Sequence, residues 1–166
     1  QIGWLRAPSP GMSFNQAMTI PLALSLISTQ EGPRLTWQPV REFLSLRSAG
    51  HGAGPVTLKS GDADPFVGTK GELVELSAVF GAGTDSEVSI KVRGVSIVFN
   101  AAKQELIVNG RRSPAPLRGG KQQITVFADR TVFEVFASDG LTYVPMPVIP
   151  KADARDRAGK VIRRVG

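Results

Sequence analysis

From about residue 70 onward, apolar and polar residues alternate with a period of two. Val88, Ile90 and Val92 are separated by polar and charged residues, which is the pattern of a strand with one buried face. Similar alternation recurs along the chain: at Val74, Leu76, Ala78 and Phe80; at Val95, Ile97 and Phe99; at Leu106 and Val108; at Ile124, Val126 and Ala128; at Phe133, Val135 and Ala137; and, as a return strand, from Thr142 to Val144. The pattern predicts a succession of short strands.

Turn signals separate these segments. Gly94 predicts a bulge or a tight turn, and Asn109-Gly110 and Asp139-Gly140 are hairpin signals because both residue types tolerate positive φ. Short strands with frequent turns and no clear helical pattern predict an all-β fold, an antiparallel β-sandwich of the jelly-roll or concanavalin-like type. We expect a helical turn or two only in the tail, between Ala152 and Arg164.

The N-terminal part has a different pattern. Residues 2–6 predict a short buried strand, and residues 7–13, with two prolines and a glycine, predict a loop. The segments Met18 to Leu26 and Arg34 to Gln38 predict a hairpin closed by a Glu-Gly-Pro turn. Residues 48–56 are rich in glycine, which indicates a flexible linker.

Composition sets the class of protein. The chain has 166 residues, of which 42% are hydrophobic, enough for one domain with a sizeable core. The longest apolar run, Met18 to Ile27, is too short to span a bilayer and contains Pro21, so we expect no membrane segment. The absence of cysteine excludes disulfides and thiolate metal sites but leaves the compartment open.

The net charge of +6 comes mostly from the tail. Between residues 145 and 166 the basic residues are Lys151, Arg155, Arg157, Lys160, Arg163 and Arg164, against Asp153 and Asp156. A basic tail can bind phosphates, but a solvated terminus is the commoner role of such a segment. The rest of the chain lacks a basic stripe with interleaved aromatic residues, so we expect no nucleic-acid binding.

Residues 11–47 carry a first family resemblance. An apolar segment with a central proline is followed by Gly32-Pro33, then by Arg34-Leu35 and the run Gln38-Pro39-Val40-Arg41-Glu42, and the stretch closes on Leu46-Arg47. This order resembles the junction in glycoside hydrolase family 32, the invertase, levanase and inulinase group. In that family the last blade of a five-bladed propeller leads into a C-terminal β-sandwich at this point.

The second half of the chain resembles the sandwich of the same family. Gly71 to Leu76 is similar to its opening strand, and residues 123–136, followed by Asp139-Gly140, are similar to its most recognisable segment. Phe133 stands where the family pattern usually has valine. The resemblance implies four parts: the end of a propeller blade with a junction strand (1–47), a linker loop (48–69), a β-sandwich (70–148) and a basic tail (149–166).

Glycoside hydrolysis needs two carboxylates that flank the scissile bond. The family takes them from Asn-Asp-Pro and Glu-Cys motifs of its propeller and holds the sugar with an Arg-Asp-Pro aspartate. None of these motifs occurs here, since Arg155-Asp156 is followed by Arg157 and Asp64-Pro65 is preceded by Ala63. We therefore expect no catalytic residues and no enzyme activity from this chain by itself.

Asp129, Arg130 and Glu134 are the candidate site residues. The two carboxylates flank a predicted turn, and Glu134 alternates with Val132 and Phe136, so it faces a partly apolar surface where it needs a partner. Arg130 is the natural one. We favour a structural bridge that locks the hairpin, and the alternative is a carbohydrate-binding constellation in which guanidinium and carboxylate groups bind fructose hydroxyls.

Other residues have plainer interpretations. Trp37 is predicted to pack the blade against the sandwich and Trp4 to lie in the propeller core, in preference to sugar-stacking roles. His51 lies among glycines of the linker, and Asp62 and Asp64 predict a turn. We expect no metal site and no cofactor.

The resemblance implies the non-catalytic C-terminal β-sandwich portion of a fructan- or sucrose-acting enzyme, which supports the catalytic propeller and has weak carbohydrate affinity at most. The alternative is a free-standing fructan-binding module. The implied partners are the catalytic β-propeller of the same parent, fructan or fructose, and a second copy through exposed strands. Gln1 follows no signal peptide, which indicates a processed chain or a fragment; the family resemblance implies an extracellular or periplasmic location.

Overall fold

The computed structural model describes residues 1–48, 50–52, 54–59, 61–66 and 71–149, and the backbone of residues 160–165. The strands are β1 (Trp4–Leu5), β2 (Ala17–Met18), β3 (Leu22–Thr29), β4 (Gly32–Pro39), β5 (Val74–Gly81), β6 (Ser86–Val92), β7 (Val95–Asn100), β8 (Glu105–Val108), β9 (Arg111–Pro114), β10 (Lys121–Ala128), β11 (Val132–Ala137), β12 (Thr142–Pro147) and β13 (Lys160–Val165). Two 3₁₀ helices are η1 (Arg41–Leu46) and η2 (Ser138–Gly140). None of the helices in the described ranges is long and apolar enough to cross a membrane.

Two antiparallel sheets form the body of the molecule. One has four strands in the order β12-β11-β10-β5, and the other has five in the order β13-β6-β7-β8-β9. Their inner faces share one hydrophobic core, and the rings of Phe80 and Phe99, from opposite sheets, lie 5.9 Å apart. The predicted all-β antiparallel sandwich is confirmed.

The period-two pattern correctly predicted which residues face the core. Val88, Ile90 and Val92 of β6 are buried, and so are the alternating residues of β7, β8, β10 and β11. The turns form where they were predicted. Arg93 and Gly94, with φ of 47° and 82°, join β6 to β7, and Asn109 and Gly110, with φ of 47° and 85°, join β8 to β9.

The N-terminal part, by which we mean residues 1–47, forms two separate strand pairs, β1 with β2 and β3 with β4. The predicted hairpin is confirmed, although its turn is Gln30-Glu31, and Gly32 and Pro33 already belong to β4. The strand predicted within residues 2–6 forms as β1, but its predicted burial is wrong in this chain, because Trp4 is 72% exposed. Its strand pairs with β2 alone.

The N-terminal part lies on the outer face of the four-stranded sheet. Trp37 of β4 stacks on Tyr143 of β12, and Phe43 of η1 packs edge-on against Phe127 of β10. Arg47, directly after η1, pairs with Glu75 of β5. The described residues that follow, up to Phe66, form no strand or helix, as expected for a linker.

The helical expectation for the tail is wrong where the structure describes it. Residues 160–165 form β13, which pairs antiparallel with β6 from Lys160 opposite Lys91 to Val165 opposite Ser86. A strand here satisfies the backbone hydrogen-bonding groups of a sheet edge that would otherwise be open, and a helix at this position could not do so. Residues 152–159 lie outside the described part of the chain.

Candidate functional site at the outer face of the four-stranded sheet

Strand β11 carries side chains to both faces of its sheet. Phe133, Val135 and Ala137 enter the core, whereas Glu134 and Phe136 point to the outer face. The outer face would be solvated in an isolated sandwich. Here the N-terminal part covers it, and Glu134 is only 3% exposed. A carboxyl group at such a position requires hydrogen-bond partners.

Glu134 finds those partners on two different parts of the chain. Its Oε1 accepts a hydrogen bond of 2.8 Å from the backbone N–H of Ile20, which lies between β2 and β3. Its Oε2 accepts a hydrogen bond from the phenol of Tyr143 on β12. The Tyr143 hydroxyl also interacts with the side chain of Thr19. We call Thr19, Ile20, Glu134 and Tyr143 the Glu134 cluster.

Burial dominates the electrostatics of the cluster. It raises the pKa of Glu134 above its ordinary value, while the hydrogen bonds from Tyr143 and Ile20 oppose that rise and the charge of Asp129 adds to it. Burial also raises the pKa of Tyr143, and the hydrogen bond to Glu134 and its charge raise it further. Tyr143 therefore keeps its proton, and Glu134 holds a proton more strongly than a solvated carboxyl does.

A row of aromatic rings continues from the Glu134 cluster across the sheet. Tyr143 lies between Trp37, at 6.5 Å, and Phe136, at 4.8 Å, both in stacked geometry. Edge-on contacts link Phe136 to Phe127 at 6.0 Å and Phe127 to Phe43 at 5.9 Å. The prediction that Trp37 packs the N-terminal part against the sandwich is confirmed.

Arg130 and Glu134 are not partners, so the expected bridge between them is wrong. Arg130 Nε donates to Glu72 Oε1 at 2.8 Å. The register explains the pairing, because Ala128 of β10 is opposite Val74 of β5, and continuing that antiparallel register brings Arg130 beside Glu72. Glu134 instead lies on the outer face of β11, opposite Phe127, where the N-terminal part covers it.

A buried arginine lies beneath the Arg130–Glu72 pair. Arg93 is 2% exposed, and its Nη1 donates to the backbone carbonyls of Glu72, at 2.7 Å, and Asp129, at 2.5 Å. The Asp129 carboxylate accepts the backbone N–H of Arg130. The hydrogen bond to Glu72 and its charge raise the pKa of Arg130. We call the exposed residues Glu72, Asp129 and Arg130 the Arg130 cluster.

The structure separates the three predicted carbohydrate-binding residues. Asp129 and Arg130 are exposed on the turn between β10 and β11, whereas Glu134 is buried under the N-terminal part. A sugar cannot contact the Glu134 carboxyl while Ile20 and Tyr143 occupy it. The predicted turn at Asp62 and Asp64 is consistent with their bonds to nearby backbone N–H groups.

The sequence interpretation missed Glu72, Arg93 and Tyr143. Tyr143 is the one tyrosine of the chain, and it falls opposite Phe136 on a predicted return strand, which was a usable signal. Arg93 precedes a turn glycine and gave no sign of burial. Across the described residues no three His, Asp or Glu side chains form a group that could hold a metal ion.

These features define an antiparallel β-sandwich whose outer sheet face is occupied by strands that precede it in sequence. The family model described as "Glycosyl hydrolases family 32 C terminal" matches residues 42–156. The chain therefore belongs to the family of C-terminal domains of family 32 glycosyl hydrolases. The levanase of Bacillus subtilis (strain 168) is 25% identical over 174 residues, which cover 91% of this chain and 25% of that protein.

Solved structures show the same fold. An exo-inulinase from Aspergillus awamori superposes with a TM-score of 0.60 and 17% identity over 99% of this chain and 40% of that one. A family 32 β-fructofuranosidase of Bombyx mori superposes with a TM-score of 0.63 and 17% identity. The match covers 99% of this chain and 37% of the Bombyx mori chain. The chain thus spans well under half the length of the proteins it resembles.

Proposed function

We propose that this chain is the non-catalytic C-terminal sandwich portion of a fructan- or sucrose-acting hydrolase, in which it supports a catalytic β-propeller. Its family membership supports the assignment to such an enzyme. The levanase relative is four times as long as the matched part, which leaves room for a separate catalytic domain. An extracellular or periplasmic location belongs to the same proposal.

The observation that carries the proposal is that the apolar surface of the N-terminal part extends beyond its contact with the sandwich. Trp37 and Ile20 fasten this part to the sandwich through Tyr143 and Glu134. The hairpin face that carries Trp37 also carries Leu24, which lies opposite it, and further along the strands this face presents apolar residues to solvent. Leu26 is 71% exposed and lies opposite Leu35 on the same face of the β3–β4 hairpin. We call the exposed Leu24, Leu26 and Leu35 the hairpin patch.

An exposed apolar strand pair of this kind is costly for an independent protein. It is useful where neighbouring strands of the same polypeptide cover it. The exposed pair Trp4 and Met18, opposite each other on β1 and β2, is a second surface of the same kind. Both surfaces fit the interior of a preceding propeller blade, so the N-terminal part would join the two domains.

The test compares the complete enzyme with this chain. We expect Leu26→Lys to lower the thermal midpoint of a polypeptide that contains the propeller and to leave the 166-residue chain almost unchanged. Leu73→Lys is the matched control, since Leu73 is exposed to a similar extent but lies before β5, outside the N-terminal part. Equal effects of Leu26→Lys in both proteins would contradict the supporting role.

The proposal that this chain has no catalytic activity by itself can be tested with a direct assay. We expect the purified chain to release no reducing sugar from sucrose, inulin or levan. Hydrolysis that disappears when one of its own acidic side chains is changed would overturn the assignment, because the chain would then be an enzyme in its own right.

One observation favours a second candidate, a fructan-binding module. Arg93 fixes the backbone carbonyls of Glu72 and Asp129, so the exposed Arg130 cluster stands on a rigid base. Guanidinium and carboxylate groups held in this way suit the hydroxyl groups of a sugar. We propose weak fructose or fructan binding at Glu72, Asp129 and Arg130, with Glu134 outside the contact surface.

Calorimetric titration with levan, inulin and fructose tests this second candidate. Arg130→Ala should abolish any heat of binding, whereas Arg112→Ala, which breaks another exposed ion pair with Glu105, should leave it unchanged. No heat with the unaltered chain at millimolar ligand would eliminate carbohydrate binding and leave the supporting role untouched.

A further inference from the structure

The Glu134 cluster is the place where a single side chain joins the two parts of the molecule. Glu134 lies on β11, an inner strand of the four-stranded sheet, and the Ile20 N–H from which it accepts a hydrogen bond lies 114 positions earlier in the sequence. No side chain of the N-terminal part supplies a positive charge to this carboxyl in the described contacts. The bond is instead to a backbone amide, whose position is set by the fold of the whole β2–β3 connection.

We propose that Glu134 is a proton-dependent latch that holds the N-terminal part on the four-stranded sheet and that tightens when the carboxyl is protonated. A protonated carboxyl still accepts from the Ile20 N–H through one oxygen, and its other oxygen can donate to the Tyr143 hydroxyl. Both contacts therefore survive without a buried charge. In the ionised form the same contacts remain, but the desolvated charge opposes closure.

The direction in which closure depends on pH follows from the environment of the Glu134 carboxyl. When the latch is open, Glu134 is solvated and has its ordinary pKa; when it is closed, burial raises that pKa. Closure is therefore most favourable below the ordinary pKa of a glutamate. It weakens as the pH rises through the raised value.

The titratable neighbours do not reverse this direction. Tyr143 on β12 remains protonated because its own pKa is raised. Asp129, on the turn between β10 and β11, is negative and adds to the rise. The α-amino group of Gln1 donates to the Leu22 carbonyl at 2.7 Å and lies on the same segment as Ile20. Phe127 and Pro145, opposite Glu134 on the adjacent strands, carry no charge.

This inference rests on the proposed supporting role for its meaning, because the N-terminal part is the proposed link to the propeller. The two ideas can nevertheless fail separately. The latch is measured within the 166-residue chain. The supporting role is measured in the complete enzyme, as described above.

Amide hydrogen exchange at Ile20 reports the latch directly, since that N–H is the one bonded to Glu134. In the unaltered chain, we expect the protection factor of Ile20 to fall between pH 4 and pH 8, by about tenfold for each unit by which closure raises the Glu134 pKa. The Thr19 amide, which donates to the Gly3 carbonyl at 2.9 Å, is the internal control for the β1–β2 pair.

Glu134→Gln is the decisive variant because it keeps the shape and cannot titrate. Its amide oxygen can accept from Ile20 and its amide nitrogen can donate to Tyr143, so Ile20 should remain protected with no dependence on pH. Glu134→Ala should lose Ile20 protection at every pH. Tyr143→Phe keeps the ring contacts and should lower protection while leaving its pH dependence in place.

The fluorescence of Trp37 gives a second measurement in case Glu134→Ala does not fold. In a Trp4→Phe background the emission comes from Trp37 alone, whose ring stacks on Tyr143. It should shift to longer wavelength with rising pH in the unaltered protein and stay constant in Glu134→Gln. Identical pH profiles of Ile20 protection in these two proteins would overturn the latch.

Discussion

The backbone carbonyl of Trp37 lies directly against Gly140, so that a β-carbon at residue 140 would come within 2.5 Å of the carbonyl oxygen. Gly140 ends η2 in the turn between β11 and β12, and Trp37 belongs to β4. The same hypothetical carbon would be 2.8 Å from Nε2 of Gln38. Glycine at this position thus allows β4 to approach the sandwich closely enough for Trp37 to stack on Tyr143.

Gly140→Ala should destabilise the protein through this contact. Gly140 and Gly110 both have positive φ, of 88° and 85°, but nothing lies within 4 Å of a β-carbon at residue 110. Gly110→Ala should therefore cost about 1–2 kcal/mol for the backbone conformation alone. Gly140→Ala should cost about 1–3 kcal/mol more because of overpacking, as measured by urea unfolding. Equal losses would show that β4 does not press on η2.

We expect Arg93 to stabilise the end of the sandwich at which the Arg130 cluster lies. Arg93→Met should cost about 2–4 kcal/mol, since the carbonyls of Glu72 and Asp129 lose a charged donor. Arg112→Met is the matched control because Arg112 makes an exposed pair with Glu105. Guanidinium chloride unfolding of both variants measures the difference, and a loss at Arg112 as large as that at Arg93 would contradict the assignment.

Gln122 and Gln123 offer a matched pair of adjacent, identical residues. Gln122 is fully buried, and its amide bonds to Ser138, to the Ala115 carbonyl and to the Gln123 N–H, whereas Gln123 is exposed. Gln122→Ala should cost about 2–4 kcal/mol, because it leaves several buried groups without a partner. Gln123→Ala should change the free energy of unfolding by less than about 0.5 kcal/mol. Thermal or urea unfolding distinguishes the two variants. Similar losses of unfolding free energy would show that the buried hydrogen bonds of Gln122 do not stabilise the fold.

The hairpin patch predicts self-association of the chain when it is separated from its proposed partner. The double variant Leu26→Lys and Leu35→Lys should reduce any concentration-dependent dimer, because two charges would replace an apolar cross-strand pair. Sedimentation equilibrium over a range of concentrations measures the effect. Leu73→Lys should not change it, and a dimer that persists in the double variant must use another surface.

Much of the sandwich could be predicted from local pattern alone. Val88, Ile90 and Val92 alternate with polar residues, and a strand with one buried face has no other way to arrange them. Asn109-Gly110 predicted its turn because few residue pairs accept two consecutive positive φ angles. These successes depend on neighbours in sequence. The prediction for residues 160–164 was wrong because it used the local pattern only. That pattern does not show that the distant strand β6 has an open edge with which the tail can pair.

The candidate site was predicted less well. The sequence indicated that Glu134 faces a partly apolar surface and needs a partner, and this is correct. It suggested Arg130, four residues away, because a nearby opposite charge is the simplest partner. The register between β5 and β10 assigns Arg130 to Glu72, and the N-terminal part brings Ile20 to Glu134. Neither pairing can be read from the spacing of residues along one strand.

The sequence by itself determined the strands, their buried faces, most of their turns and the resemblance to the family 32 sandwich, since each depends on side chains within a few positions of one another. The tertiary structure alone decided what covers each face. It placed Tyr143 and Ile20 on Glu134, Arg93 beneath Glu72, and Trp4 in solvent. The physical reason is that the alternation of a strand fixes the side to which a residue points, whereas the group that it meets there comes from a distant part of the chain.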